Sequence, residues 1–117
     1  MNDSILQNTS KEFAKSIILL CRKMKETGTE SALTSQLLRA GTSVGANIHE
    51  SKYAQGTKDF ISKLEIALKE CNESDYWIDL LFETKNILEE DYSILKNDII
   101  TLRRMLVSSV TKLMNKL

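Results

Sequence analysis

The sequence predicts an all-α protein, an antiparallel up-down-up-down four-helix bundle built as one domain over residues 1–117. The first observation behind this is composition: the chain has no proline and only four glycines, and Leu, Ile, Lys and Glu are abundant. Proline breaks helices, and straight-chain residues lose little entropy in them. The second is periodicity, since apolar residues recur three and four apart in four successive stretches. The third is the shortness of the connecting segments, which forces consecutive helices to lie antiparallel. At 117 residues the chain can bury a core without disulfides or metals.

The first helix is expected to begin between Asp3 and Thr9, with Thr9 and Glu12 placed to form a capping box. Leu6, Phe13, Ile17, Leu20 and Met24 share one face. The stretch TGTES at 27–31 ends it, Gly28 suiting a left-handed C-terminal cap and Thr29 or Ser31 an N-cap for the next helix. The second helix buries Leu33, Leu37, Ala40, Val44 and Ile48 and stops near Gly56. The third starts at Thr57 or Lys58 and presents Phe60, Leu64, Ala67, Leu68, Cys71, Ile78 and Phe82. Loss of phase places a connection at 85–90, and the acidic residues 89–91 suit the positive end of a fourth helix. That helix carries a near-heptad seam of Leu95, Ile99, Leu102, Leu106, Leu113 and Leu117, with Ser109 as a polar lapse.

Several classes of function are disfavoured at this level. The 16 basic and 16 acidic residues cancel, so any attraction to nucleic acid or membrane needs local segregation of charge. Ile17 to Cys21, the longest strongly apolar run, is far too short to span a bilayer, and the N-terminus lacks the form of a signal peptide. Cys21 and Cys71 are distant and set among apolar neighbours, as for buried reduced thiols. The expected setting is cytoplasmic, with no membrane partner. Bundle-core di-metal sites need Glu-x-x-His on two helices, whereas His49 is the single histidine and Ala46 stands three before it. No nucleophile–base set is visible, so neither catalytic residues, metal ligands nor a cofactor are expected.

The stretch LLRAGTSVGANIHES at 37–51 is unusual for a helix interior. A loop would interrupt the apolar period, yet Leu37, Ala40, Val44 and Ile48 carry it straight through. Each glycine inside a helix costs about 1 kcal/mol relative to alanine. Close approach of a neighbouring backbone is the simplest compensating gain. Gly41, Gly45 and Ala46 are therefore read as helix-packing positions. A membrane GxxxG dimer is ruled out by Arg39, His49, Glu50 and Lys52, and a phosphate loop by the missing strand and lysine. Gln36, Ser43, Asn47 and Glu50 flank the same face, and the third helix offers a matching strip of Asp59, Lys63, Glu70 and Glu73 interleaved with Ile66, Trp77 and Leu81. Such strips fix register through a hydrogen-bond network, face an oligomer interface, or line a site.

The segments QLLRAGTSVGANIHE (36–50) and DFISKLEIALKECNESDYW (59–77) resemble the bacterial 23S rRNA-intervening sequence proteins. The matching positions include Gln36, Arg39, Gly41, Ser43, Gly45, Ala46, Asn47 and Glu50, then Asp59, Phe60, Lys63, Glu70, Glu73, Tyr76 and Trp77. His49, Cys71 and Asn72 depart from the pattern. The resemblance extends from Phe13 to about Leu106. It implies a four-helix bundle assembled into a ring-like homo-oligomer, a pentamer, in a family without an established catalytic activity whose members are often encoded within large-subunit ribosomal RNA genes. The chain is also similar to the accessory protein of diversity-generating retroelements, which implies RNA or DNA and a reverse transcriptase as partners.

Two functional readings follow. In the first, Lys11, Lys15, Arg22 and Lys25 form a basic stripe opposite the core face of the first helix, and Arg103 and Arg104 on the fourth helix add cations whose place relative to that stripe depends on the packing. Repeated around an oligomer, such a stripe would bind RNA or DNA through phosphate contacts. No aromatic residues interleave with it, so base stacking is not expected. In the second, the chain is a protein–protein scaffold with no nucleic-acid role. There Ile100, Val107 and Met114, seven apart and off the main seam, serve as a subunit interface rather than a wide core face.

Overall fold

The computed structural model describes residues 3–117, the side chains of Asp3 and Ser4 excepted. Among them are four helices: α1 (Asp3–Glu26), α2 (Ser31–Ser51), α3 (Thr57–Glu83) and α4 (Glu89–Met114). They form an antiparallel bundle measuring 48 × 22 × 20 Å. Twenty-four residues at 1.5 Å per residue span about 36 Å, so helix length sets the long axis. α2 packs on α1 and α3, and α4 packs on α3 and, more sparsely, on α1. The helices thus follow one another around the bundle, and the α1–α2 and α3–α4 grooves lie on opposite faces.

The core is the set of apolar stripes turned inward. Phe13, Ile17 and Met24 of α1, Leu37, Val44 and Ile48 of α2, Leu64 and Ile78 of α3, and Ile99, Leu102 and Leu106 of α4 are all fully buried. On α3 the buried stripe is rotated slightly from the expected one. Ile61, Ser74 and Leu81 lie inside, while Phe60 and Phe82 sit at its margin. Ser74 is tolerated there because its hydroxyl donates to the Glu70 carbonyl at 2.8 Å. Phe82 instead stacks on Tyr92 of α4, ring centroids 3.9 Å apart. Leu117 lies beyond the end of α4 and is exposed, so the seam closes before it.

The helix ends fall where expected in part, and the side-chain caps do not. α1 begins at Asp3, within the expected window, but Thr9 lies in its interior and Glu12 pairs with Lys15 at 2.9 Å instead of capping. The N-cap of α2 is Glu30, with no side-chain capping bond from Thr29 or Ser31. Thr29 has a different partner. Its hydroxyl donates to Asn86 Oδ1 at 2.8 Å, tying the α1–α2 turn to the α3–α4 turn. Gly28 takes the left-handed conformation, φ 86°. The Gly28 N–H bonds Lys25 and the Thr29 N–H bonds Met24, the paired bonds of a Schellman cap. α3 ends in the same way, Lys85 (φ 66°) standing where glycine normally does, its N–H on Phe82 and that of Asn86 on Leu81. Glu89, Glu90 and Asp91 occupy the first turn of α4, where the helix dipole favours acids.

Candidate functional site

The small residues of α2 bring it close to α1. A Cβ placed on Gly41 would stand 2.8 Å from Ile17 Cγ1 and 2.9 Å from Cγ2, so only glycine fits there without displacement of a core side chain. At Gly45 the nearest atom would be the Ser10 carbonyl oxygen at 3.4 Å, an ordinary contact. Gln7 of α1 adds a hydrogen bond to the Ile48 carbonyl, 3.1 Å.

Outside this contact the two helices leave a surface groove in two sections. One is lined in part by Lys11, Ala14, Ala46, His49 and Lys52, the other in part by Ile18, Arg22, Lys25, Leu38 and Thr42. Among the described residues neither section contains an aspartate or a glutamate. Lys11, Arg22, Lys25 and Lys52 are exposed and enter no ion pair among the described residues. Lys15, on the same stripe, is drawn to Glu12. His49 and Lys52 were not assigned to this site from the sequence. Their part in it is legible only once α2 is rotated into place by Gly41.

Arg103 is directed elsewhere. Its guanidinium donates to Asn72 Oδ1 and Asp75 Oδ2, each at 2.9 Å, across the α3–α4 groove on the opposite face. Arg104 is exposed on the same helix. Arg103 belongs to a network that the sequence reading missed. Lys96 bridges Asp75 and Asp79, and the Tyr92 hydroxyl donates to Asp79 Oδ1 at 2.8 Å. Burial works to raise the Asp75 pKa, but the hydrogen bonds from Lys96 and Arg103 outweigh it and hold the carboxyl below its ordinary range. The signal available in the sequence was Asp75 and Asp79 four apart, facing Lys96 and Arg103 seven apart.

A third cluster lies between α2 and α3. Arg39 pairs with Glu73 and, at 3.4 Å, with Glu70, and the Trp77 indole N–H donates to Glu73 Oε2 at 3.2 Å. The other polar residues of this flank do not join the cluster. Asn47 Nδ2 donates to the Ser43 carbonyl and Ser43 Oγ to the Arg39 carbonyl, both within α2. Glu50 is exposed, and so is Ala46, which the sequence predicts as a helix-packing position and the structure places on the open α1–α2 groove. Asp59 accepts from the Gln55 N–H at 3.1 Å, closing the turn into α3. The Arg39 guanidinium thus ties α2 to α3 through the two carboxylates, and the indole N–H is satisfied within the same cluster.

The sequence profile of the 23S rRNA-intervening sequence proteins matches residues 2–108. The chain belongs to this family. A crystal structure of a protein with unknown function from the S23 ribosomal protein family of Bacteroides thetaiotaomicron VPI-5482 is similar to it throughout. The two are 41% identical over 95% of this chain and 99% of the other, with a TM-score of 0.91. No curated protein matches the chain. The stretches at 36–50 and 59–77 that carry the likeness to the 23S rRNA-intervening sequence proteins contribute the two sides of the Arg39–Glu70–Glu73–Trp77 cluster. In this member of the family both thiols are buried, and desolvation raises Cys21 and Cys71 to about 11. Among the described residues no three of His, Cys, Asp and Glu are grouped to hold a metal, and no helix is long and apolar enough to cross a membrane.

Proposed function

We propose that the chain is a non-catalytic homo-oligomeric bundle that binds RNA or DNA through the α1–α2 groove. One observation carries this reading: the groove gathers Lys11, Arg22, Lys25 and Lys52 with no carboxylate among its described lining residues, while Arg39, Lys96 and Arg103 are each neutralised by acids on α3. Assembly would repeat the groove around the oligomer and sum its field. The α4 stripe suits a subunit contact, since Ile100, Val107 and Met114 are 46%, 46% and 54% exposed in the single chain. The groove, rather than the α1 stripe together with Arg103, is the binding surface in this proposal.

If the four groove cations each displace a counterion from duplex phosphate, log K falls with log salt at a slope of about −3.6. Affinity then drops about a hundred-fold between roughly 50 and 200 mM salt. Anisotropy titrations of duplex DNA and structured RNA at the two salt concentrations measure this. Lys11→Glu combined with Arg22→Glu is expected to abolish binding, and Lys15→Glu to weaken it less. Absence of binding at low salt in an intact oligomer would favour the second reading, a scaffold for a protein partner. The partner implied by the family resemblance is a reverse transcriptase, and the exposed α4 stripe is the surface that supports that reading.

A further inference from the structure

A cavity of about 260 Å³ opens at the end of the bundle where α1 and α3 begin and α2 and α4 end. Its floor is apolar, formed by Leu6, Ile48, Phe60 and Leu64. Lys52, Lys112 and Lys116 also line it. All three are exposed and enter no ion pair among the described residues. An adjoining opening shares Ser51, Lys52, Phe60 and Leu113, and among the described residues neither is lined by a carboxylate.

We propose that this cup binds a small amphipathic anion, a medium-chain carboxylate. The apolar floor takes the chain, and the three ammonium groups at the solvent side take the head. Lysine suits this role, because its compact charge sits on a flexible stem that reaches the anion while staying hydrated. Size sets the length of the chain: a dry cavity of about 150 Å³ holds benzene, so this one suits an apolar body of roughly eight to ten heavy atoms. Two-chain lipids are too large for it. A neutral molecule of the same shape forgoes the attraction of the lysines, and a cation is repelled by them.

Calorimetric titration of the full chain with octanoate, octanol and octyltrimethylammonium at low salt tests the proposal. Octanoate is expected to bind once per chain with a Kd on the order of 0.1 to 1 mM, as ligand-efficiency limits allow for about ten heavy atoms. Octanol should bind at least about five-fold more weakly and the cation not at all. Lys112→Glu with Lys116→Glu should weaken octanoate about ten-fold or more at unchanged melting temperature, and Leu113→Trp, at the shared mouth, should block it. Lys112 and Lys116 share the cup with Lys52 of the α1–α2 groove, so Leu113→Trp, which changes no charge, is the variant that leaves nucleic-acid binding intact and separates the two proposals. Octanol binding as tightly as octanoate, an unchanged Kd after charge reversal, or no saturable binding up to about 10 mM would each overturn it.

Discussion

Gly41 lies by helical phase near the inward stripe of α2 and Gly45 off it, and alanine at each position separates them. Replacing a helix-interior glycine with alanine gains about 1 kcal/mol from the reduced entropy of the unfolded chain. At Gly45 the new methyl meets only the Ser10 carbonyl at 3.4 Å, so Gly45→Ala should keep most of that gain. At Gly41 it would lie 2.8 and 2.9 Å from the two γ carbons of Ile17. Ile17 is completely buried and β-branched, so it can neither swing into solvent nor change rotamer cheaply. Overpacking of this kind costs about 1–3 kcal/mol, which cancels or exceeds the propensity gain. The two variants should therefore differ by about 2 kcal/mol, or roughly 8 °C in melting temperature for a domain of this size. Urea denaturation of both, and of each in an Ile17→Ala background, measures it. Ile17→Ala removes both γ carbons and costs about 2–5 kcal/mol alone, but Gly41→Ala made on top of it should turn neutral or stabilising. Equal stabilisation by the two alanines, or strict additivity in the Ile17–Gly41 cycle, would refute the close-contact argument.

Three other expectations follow from single features. Lys85→Gly should stabilise the fold by up to about 1 kcal/mol, read as a higher urea midpoint, because Lys85 holds φ 66° at the end of α3. The folded pKa of Asp75 is depressed, so its contribution is present above its unfolded value near 3.9 and lost as pH falls through the folded one. Asp98 is raised by burial and works in the opposite sense, so Asp98→Asn should stabilise at pH 7 and cease to do so below about pH 4, whereas Asp75→Asn should destabilise at pH 7 and flatten the acid limb. Both thiols, held at about 11, should resist a disulfide reagent at neutral pH in the native state and react fully in denaturant.

What sequence alone determined is what depends on periodicity along one helix. The four helices, the inward stripes of α1 and α2, the left-handed turn at Gly28 and the acidic start of α4 are local properties, set by residues within a turn or two of each other. The family, too, was legible, because its two signatures are continuous stretches at 36–50 and 59–77. Tertiary structure decided whatever depends on the rotation of one helix against another. It turned the α3 core to Leu81 and Ser74, sent Thr29 to Asn86 in place of a cap, and set Ile17 against Gly41 and Ser10 against Gly45. It also placed Arg103 away from the α1 stripe, since Arg103 reaches across to Asn72 and Asp75 while Lys52 and His49 join the α1 cations. A linear charge pattern shows that a cation is outside the core. Whether it is free or neutralised depends on which helix stands beside it, and that is fixed by packing at residues far away in the chain.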